Sequence, residues 1–191
     1  MYFLIQKRKF VGDMIKDSIA LIGFMATGKS TVGKALVKRL GNEYEFLETD
    51  DIIIKLAGKP IPEIFSESGE AVFRHYEIEA CRKISKQSKI VVSCGGGVVL
   101  NQINIDNLRK NCYIFLLNTS IQEIYKRVVK DGIEKRPLID TTTPLDDIKD
   151  LLGDRQPLYN LAADFKIETT GKSIKRIVRI ILNKLNSLDF F

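Results

Sequence analysis

The chain has 191 residues and a formal net charge of +6, with 45% hydrophobic and 28% charged residues. This balance is typical of one globular domain with its own core and excludes a disordered or fibrous chain. The longest apolar runs fall far short of the roughly 20 residues that a membrane-spanning helix needs, so we expect no membrane association.

The N-terminal residues 1–17 are interpreted as an extension that precedes a single domain over residues 18–191. The segment begins MYFLIQKRKFV, with apolar residues before the basic cluster, the reverse of a secretory signal peptide. We therefore expect a cytoplasmic protein. The three cysteines, at 81, 94 and 112, are odd in number and lack metal-ligand spacing, which predicts buried free thiols.

Short apolar runs alternate with helical patterns along the domain. A first strand is predicted over 19–23, followed by a loop and a helix over 29–40. Further strands are predicted over 45–48, 90–94, 112–117 and 164–168, with helices that include 61–86 and 173–185. Because unbroken apolar strands are buried on both faces, the pattern predicts an α/β fold with a five-stranded parallel sheet flanked by helices. The polar segment 130–143 is a predicted mobile lid.

The loop between the first strand and the first helix carries a phosphate-binding motif. Residues 23–30 read GFMATGKS and match the pattern G-x-x-x-x-G-K-[ST] in its strand-loop-helix context. Such a loop directs backbone N–H groups at phosphate oxygens, and the positive end of the following helix favours the same anion. Lys29 is expected to neutralise the β- and γ-phosphates, and the Ser30 hydroxyl to bind Mg²⁺. The predicted ATP contacts in this loop are Ala26, Thr27, Gly28, Lys29, Ser30 and Thr31.

Polar residues and glycines follow the next two predicted strands, at the edge of the sheet where ligands bind in such folds. They lie in FLETD and SCGGGVV, and the fragments IPEIFSESGEAVFR, RPL and DRQPLYNLA accompany them. In this order and approximate spacing, the chain from about Ser18 to its C-terminus resembles the shikimate kinase family. The resemblance implies a P-loop fold like that of nucleoside monophosphate kinases. It also implies ATP-dependent phosphorylation of the 3-hydroxyl of shikimate, in chorismate and aromatic amino acid synthesis, with Mg²⁺.

The resemblance also implies roles for individual residues. Asp50 would orient the acceptor hydroxyl or take its proton, and a helix N-cap is the alternative role of this residue. Lys29 and Arg136 would complete the catalytic set, with Arg136 closing over the transferring phosphate and Arg127 on the adenine side. The implied substrate-binding residues are Asp50, Arg74, Gly95, Gly96, Gly97 and Arg155, of which the arginines would bind the carboxylate.

Two positions depart from the family pattern. Glu48 stands where the family usually has an aspartate for the magnesium shell, and it is our second candidate metal residue after Ser30. Ala26 replaces a glycine that is common in the family's loop, a change that the loop tolerates if this residue keeps a negative φ.

The acceptor and the use of ATP leave alternatives open at this point. Another small-molecule kinase of similar fold, acting on gluconate or a nucleoside monophosphate, would carry the same phosphate loop. An ATP-binding regulatory protein is the second alternative, prompted by the positive charge, but the chain lacks a clustered basic tract with interleaved aromatics. We therefore expect ATP and shikimate as ligands, no nucleic acid and no membrane, and a monomer.

Overall fold

A computed structural model describes residues 16–133, 139, 142–188 and 190. The predicted N-terminal extension lies outside the described residues except for Lys16 and Asp17. The predicted lid also lies outside them, apart from 130–133, 139, 142 and 143. Every helix in the described part of the chain is too short or too polar to cross a membrane.

One parallel sheet of five strands forms the centre of the molecule, in the order β2-β3-β1-β4-β5. The central strand β1 pairs in parallel with β3 on one side and β4 on the other, so that Ile19 lies between Val91 and Tyr113. The strand count and direction predicted from the apolar runs are confirmed. The strands are β1 (Ser18–Ile22), β2 (Glu45–Glu48), β3 (Ile90–Ser93), β4 (Cys112–Asn118) and β5 (Phe165–Glu168).

Seven α-helices connect and cover the strands in the described residues. Their bounds are α1 (Lys29–Leu40), α2 (Thr49–Ala57), α3 (Ile61–Ile84), α4 (Gln102–Arg109), α5 (Ile121–Asp131), α6 (Pro144–Ala162) and α7 (Ile174–Asn186), and a 3₁₀ turn spans Val98–Leu100.

Successive residues of each strand pack against helices on opposite faces of the sheet, as the two-residue period of a strand requires. On one face, Ala20 and Ile22 join a core with side chains of α3, α4, α5 and α6. On the other face, Ile19 and Leu21 join a core with side chains of α1 and α7. Both faces of the sheet are therefore covered, which explains the unbroken apolar runs in the sequence.

The predicted helix over 61–86 ends at Ile84 and is interrupted. Gly69 has φ 77° and ψ 173°, which are not helical values, and α3 therefore consists of two helical pieces. The prediction of one unbroken helix was wrong at Gly69, because glycine reaches positive φ without the steric penalty that other residues have. The second piece carries the site residues of α3.

The cysteines are free and buried, as predicted. Burial raises the pKa of the Cys94 thiol to about 12. At neutral pH this thiol is therefore protonated and serves as an apolar packing group.

Alanine substitutions at two helical glycines should change the free energy of unfolding in opposite directions. A Cβ at Gly33 would lie 2.5 Å from the Phe46 ring, whereas a Cβ at the exposed Gly153 meets no atom within 4 Å. Gly33→Ala should lower the free energy of unfolding by about 1–3 kcal/mol, because α1 must move away from β2. Gly153→Ala should raise it by up to about 1 kcal/mol through helix propensity. Urea denaturation of both variants measures this, and equal effects would contradict the packing of α1 on Phe46.

Candidate active site

A cleft of about 510 Å³ opens at the carboxyl ends of β1 and β3. The chain leaves β1 toward β2 on one side and leaves β3 toward β4 on the other, so the two loops diverge and a crevice forms between them. Residues that follow β1 and β3, the starts of α1 and α2, α5 and the segment after β5 line the cleft, among them Lys29, Asp50, Gly95, Arg127 and Lys172.

The loop between β1 and α1 is shaped by two glycines with positive φ. At Gly23 (φ 141°), a Cβ would lie 2.6 Å from the carbonyl oxygen of Leu117, and Gly28 (φ 92°) is the N-cap of α1. The Thr27 hydroxyl donates to the Phe24 carbonyl at 2.9 Å and fixes the turn. The loop thereby leads directly into the N-terminus of α1, where backbone N–H groups favour an anion.

Lys29 and Ser30, the residues predicted to contact phosphate and Mg²⁺, lie at the start of α1 and line the cleft. The Lys29 ammonium donates to the carbonyls of Gly23 and Phe24, at 2.9 and 2.8 Å. The Ser30 hydroxyl lies 3.2 Å from the hydroxyl of Ser93 at the end of β3. The loop thus presents a cation and a hydroxyl pair on the side where phosphates would lie.

Ala26 adopts φ 56°, so the condition of a negative φ at this position is not met. The left-handed conformation places the Cβ of a non-glycine residue close to its own backbone, at a cost of about 1–2 kcal/mol. The carbonyl of Ala26 accepts a hydrogen bond from Arg127 Nη1 at 3.0 Å, and this contact helps to hold the conformation.

Arg127 projects from α5 onto the phosphate loop. Its guanidinium is oriented by Glu123, one turn earlier, through bonds of 3.0 and 2.9 Å to one carboxylate oxygen. Arg127 lines the cleft beside the phosphate loop, and it therefore lies in the candidate nucleotide site, where the resemblance placed it. Arg136, the other expected arginine of this region, lies outside the described residues.

Asp50 stands in the first turn of α2, one residue after the helix begins at Thr49. The N-cap position belongs to Glu48, so the alternative role of Asp50 as N-cap is wrong. The Thr49 hydroxyl accepts from the Gly95 N–H at 2.8 Å, which joins the start of α2 to the loop after β3. Asp50 opens onto the cleft, but the surrounding protein desolvates its carboxyl and raises its pKa, a shift that the Lys29 ammonium opposes.

Glu48 lines the cleft at the end of β2. Its carboxylate lies 3.9 Å from the Lys34 ammonium, a pair that is largely open to solvent on the lysine side. Ser30 and Glu48 both bring oxygen donors to the cleft, whereas the described residues contain no group of three histidine, cysteine, aspartate or glutamate side chains that could hold a metal.

Arg74 lies on α3 and is held by carboxylates on both sides. Its Nη1 donates to both oxygens of Glu77 at 3.1 and 3.2 Å, and its Nε and Nη2 donate to Glu70 at 3.2 and 3.0 Å. The Glu77 side chain is 2% exposed and the Glu70 side chain 63% exposed. The ion pair with Glu77 is therefore shielded from solvent, whereas the ion pair with Glu70 is open to exchange with solvent or a ligand.

Arg155 is buried on α6, one turn before Tyr159. The Tyr159 hydroxyl donates to the carbonyl of Gly96 at 2.5 Å. Burial raises the pKa of this hydroxyl to about 12, so it remains a donor throughout the working pH range. Arg155 itself lies 3.9 Å from the position of a Cβ at Gly96.

The three glycines after β3 bring these side chains together. A Cβ at Gly95 would lie 3.0 Å from an Asp50 oxygen, one at Gly96 would contact Arg155, and one at Gly97 would lie 2.4 Å from Arg74 Nη1. A carboxylate and two guanidiniums thus line up along a bare strip of backbone. This arrangement suits an anionic substrate with hydroxyl groups.

Several cleft residues were missed from the sequence. They are Ser93, Lys130, Asp131, Thr169, Lys172 and Ile174. Ser93 and Thr169 stand at or next to the carboxyl ends of strands, a position that could have identified them. The others depend on how α5 and α7 close over the sheet, which a single sequence does not encode locally.

Comparisons with known proteins find similar sequences and similar structures. Residues 25–186 match a family model described as Shikimate kinase. A curated relative, shikimate kinase of Thermodesulfovibrio yellowstonii, is 40% identical over 172 residues, which cover 90% of this chain and 96% of the relative. Shikimate kinase of Caldanaerobacter subterraneus is 39% identical over 86% of this chain and 94% of its own. A solved structure of shikimate kinase from Acinetobacter baumannii in complex with shikimate has a TM-score of 0.82 and 31% identity, over 92% and 95% of the two chains.

The strained loop position gives a stability prediction. Ala26→Gly should raise the free energy of unfolding by about 0.5–1 kcal/mol, because glycine occupies positive φ without steric cost. The control Ala35→Gly makes the same change at a helical position of α1 and should lower it by about 1 kcal/mol. Thermal and urea unfolding without nucleotide measure both, and a loss of stability in both variants would contradict the positive φ of Ala26.

Proposed function

The chain belongs to the shikimate kinase family, and we propose that its cleft transfers the γ-phosphoryl group of ATP directly to the acceptor through the residues described above. It is an enzyme whose activity is ATP-dependent phosphorylation of the 3-hydroxyl of shikimate, giving shikimate 3-phosphate and ADP. The main support for the proposed roles is the strip Gly95–Gly97, which faces Asp50, Arg155 and Arg74.

Acceptor binding is assigned to the two arginines and the glycine strip. The carboxylate of shikimate would displace the exposed Glu70 from Arg74 and pair with Arg74 and Arg155, which offer planar donor forks. The shikimate hydroxyls would lie along Gly95–Gly97, where the absence of side chains lets them approach the backbone. Glu77 would stay in place and keep Arg74 oriented during the exchange.

Asp50 is assigned to the reacting hydroxyl. Its carboxylate would accept a hydrogen bond from that hydroxyl and direct the hydroxyl oxygen at the γ-phosphorus. It would take the proton as the new P–O bond forms and the bond to the ADP oxygen breaks. The raised pKa of Asp50 makes the ionised carboxylate a stronger base than an ordinary aspartate. Transfer is in line, with no covalent intermediate on the enzyme.

The donor side is assigned to the phosphate loop. The loop N–H groups and the Lys29 ammonium would hold the β- and γ-phosphates, and Lys29 would exchange its bonds to the loop carbonyls for phosphate oxygens. Arg127 would contact the nucleotide beside Ala26. We retain Arg136 as the residue that closes over the γ-phosphate, on the strength of its position in RPL within the predicted lid.

Mg²⁺ fits the oxygen donors of this cleft. Magnesium in kinases is held by one or two protein oxygens together with waters and phosphate oxygens, which matches Ser30 and Glu48 as the nearby donors. When bound, the ion would neutralise charge on the β- and γ-phosphates. Ser30 would supply a direct hydroxyl ligand, and Glu48 a carboxylate contact, direct or through water.

Further features of the protein stay proposals. We propose a cytoplasmic monomer with one kinase domain over 18–191, to which residues 1–17 are an extension. We also propose that it binds no nucleic acid and no membrane. The basic residues of α7 do not argue against this, since Lys175, Arg176 and Arg179 lie on its exposed face, opposite an apolar stripe, as in an ordinary solvated helix.

The first prediction of this scheme concerns Asp50. Asp50→Asn should lower kcat for shikimate phosphorylation about 10²- to 10⁴-fold, because the acceptor hydroxyl loses its base, while the KM for ATP stays within about threefold. Because the active form is ionised and the pKa is raised, wild-type kcat/KM should fall on acidification at a pH above the usual aspartate value of 3.8. Coupled measurement of ADP release across pH tests both points.

The control variant is Asp51→Asn, the same change on the next, exposed residue of α2. It should keep kcat within about twofold, as is usual for surface substitutions. An acceptor panel of shikimate, gluconate and a nucleoside monophosphate belongs to the same experiment. Stimulation by another acceptor instead of shikimate would favour the alternative kinases, and ATP binding with no stimulated turnover would favour a regulatory protein.

A second prediction concerns Glu48. Glu48→Gln should raise the Mg²⁺ concentration for half-maximal rate about tenfold, and Glu48→Asp should leave it within about threefold, because only the first change removes the carboxylate charge. Glu45→Gln, at the exposed start of the same strand, is the control and should have no effect. Magnesium titrations at saturating ATP measure this, and equal curves for the two glutamine variants would remove Glu48 from the metal site.

A further inference from the structure

A buried amide on α4 connects two parts of the acceptor site. Asn104 is fully buried, and its Nδ2 donates to Glu77 Oε2 at 3.0 Å and to the carbonyl of Val98 at 3.1 Å. Glu77 is the buried carboxylate that holds Arg74, and Val98 directly follows the glycine strip. One NH₂ group therefore contacts both the support of the guanidinium and the end of the strip on which the acceptor would lie.

The geometry leaves little room for Arg74 to move independently of this amide. Arg74 Nη1 bonds both oxygens of Glu77 and also fills the space beside Gly97, 2.4 Å from where a Cβ would stand. A shift of Glu77 would move the guanidinium, and a shift of Val98 would move the glycine against which it packs. Asn104 holds the distance between these two groups.

Only the NH₂ group of the Asn104 side chain is hydrogen-bonded in the described residues. Its Oδ1 is buried and has no hydrogen-bond partner among the described residues, whereas both protons of its Nδ2 are used. A buried polar atom without a partner destabilises the fold, so an apolar residue would fill this position at lower cost if packing were its only role. The useful part of the side chain is the NH₂ group that reaches Glu77 and Val98.

We propose that Asn104 is a positioning residue for acceptor binding, which fixes the Arg74 guanidinium relative to the glycine strip through Glu77 and Val98. This inference rests on the proposed role of Arg74 in binding the shikimate carboxylate. Asn104 does not contact the acceptor, so its effect falls on the KM for shikimate and not on the phosphate loop.

The test replaces Asn104 by leucine, which has a similar size and no donor. Asn104→Leu should raise the KM for shikimate about tenfold, the usual scale for losing a hydrogen bond to a charged group, with the KM for ATP within about twofold. The control is Asn107→Leu on the same helix, a buried amide whose Oδ1 accepts from Lys110 at 2.7 Å. It should change the stability but neither KM.

One further variant, Asn104→Asp, keeps the proposal testable if Asn104→Leu folds poorly, and two more comparisons sharpen the test if it folds. Asn104→Asp keeps the shape but sets a second carboxylate beside Glu77, and it should raise the KM for shikimate at least as much. In the background of Glu77→Gln, Asn104→Leu should add less than about twofold, because the two residues act in series. The carboxamide analogue of shikimate should show a smaller difference between wild type and Asn104→Leu than shikimate does, since its neutral group pairs less strongly with the guanidinium.

An unchanged KM for shikimate in both Asn104 variants would overturn the proposal. So would a parallel rise of both KM values, or the same profile in Asn107→Leu, because each would indicate general loosening of the fold. These outcomes differ from a failure of the proposed function, in which shikimate would not stimulate ADP release by the wild-type enzyme.

Discussion

The space beside Gly97 is the constraint on which the acceptor site depends. The Arg74 guanidinium occupies the volume that any side chain at position 97 would need, and at Gly95 a Cβ would crowd the Asp50 carboxylate in the same way. Positions 95 and 97 must therefore lack side chains for the functional groups to reach the strip. The strip is held from outside, since Thr49 accepts from Gly95, Tyr159 donates to Gly96 and Asn104 donates to Val98. Backbone freedom at the glycines is removed by neighbours that belong to three different helices.

Charge burial sets the second condition. Glu77 is almost fully desolvated, which raises the pKa of its carboxyl, and Arg74 and Asn104 act in the opposite direction. A buried ion pair contributes little net stability, because desolvation offsets most of the attraction between the charges. Its benefit here is orientation: the guanidinium is fixed by a buried carboxylate on one side and faces an exposed, exchangeable carboxylate on the other. In the proposed scheme, an incoming carboxylate would replace Glu70 without reorganising the interior.

The sequence predicted the parts of the site that local chemistry determines. The phosphate loop, the bounds of α1 and the five parallel strands follow from a motif and from apolar periodicity. The positive φ of Ala26 was not predictable, because alanine disfavours it and the support comes from Arg127, about a hundred residues away. The contacts of Asn104 with Glu77 and of Ser30 with Ser93 were equally hidden, since each joins residues that lie far apart in the chain. Family resemblance supplied the acidic and basic residues that we propose for the site, but not the contacts that orient them.

The sheet itself places donor and acceptor at the right separation. β1 and β3 are hydrogen-bonded neighbours, and neighbouring strands lie about 4.8 Å apart. The phosphate loop follows β1 and the glycine strip follows β3. Ser30, where the loop enters α1, lies 3.2 Å from Ser93 at the end of β3. In the proposed scheme, the strand spacing would bring a hydroxyl bound on the strip within reach of a phosphate bound in the loop. The core of the sheet, buried on both faces, resists changes in that spacing, and this rigidity lets a short loop and three glycines position a reaction between two bound molecules.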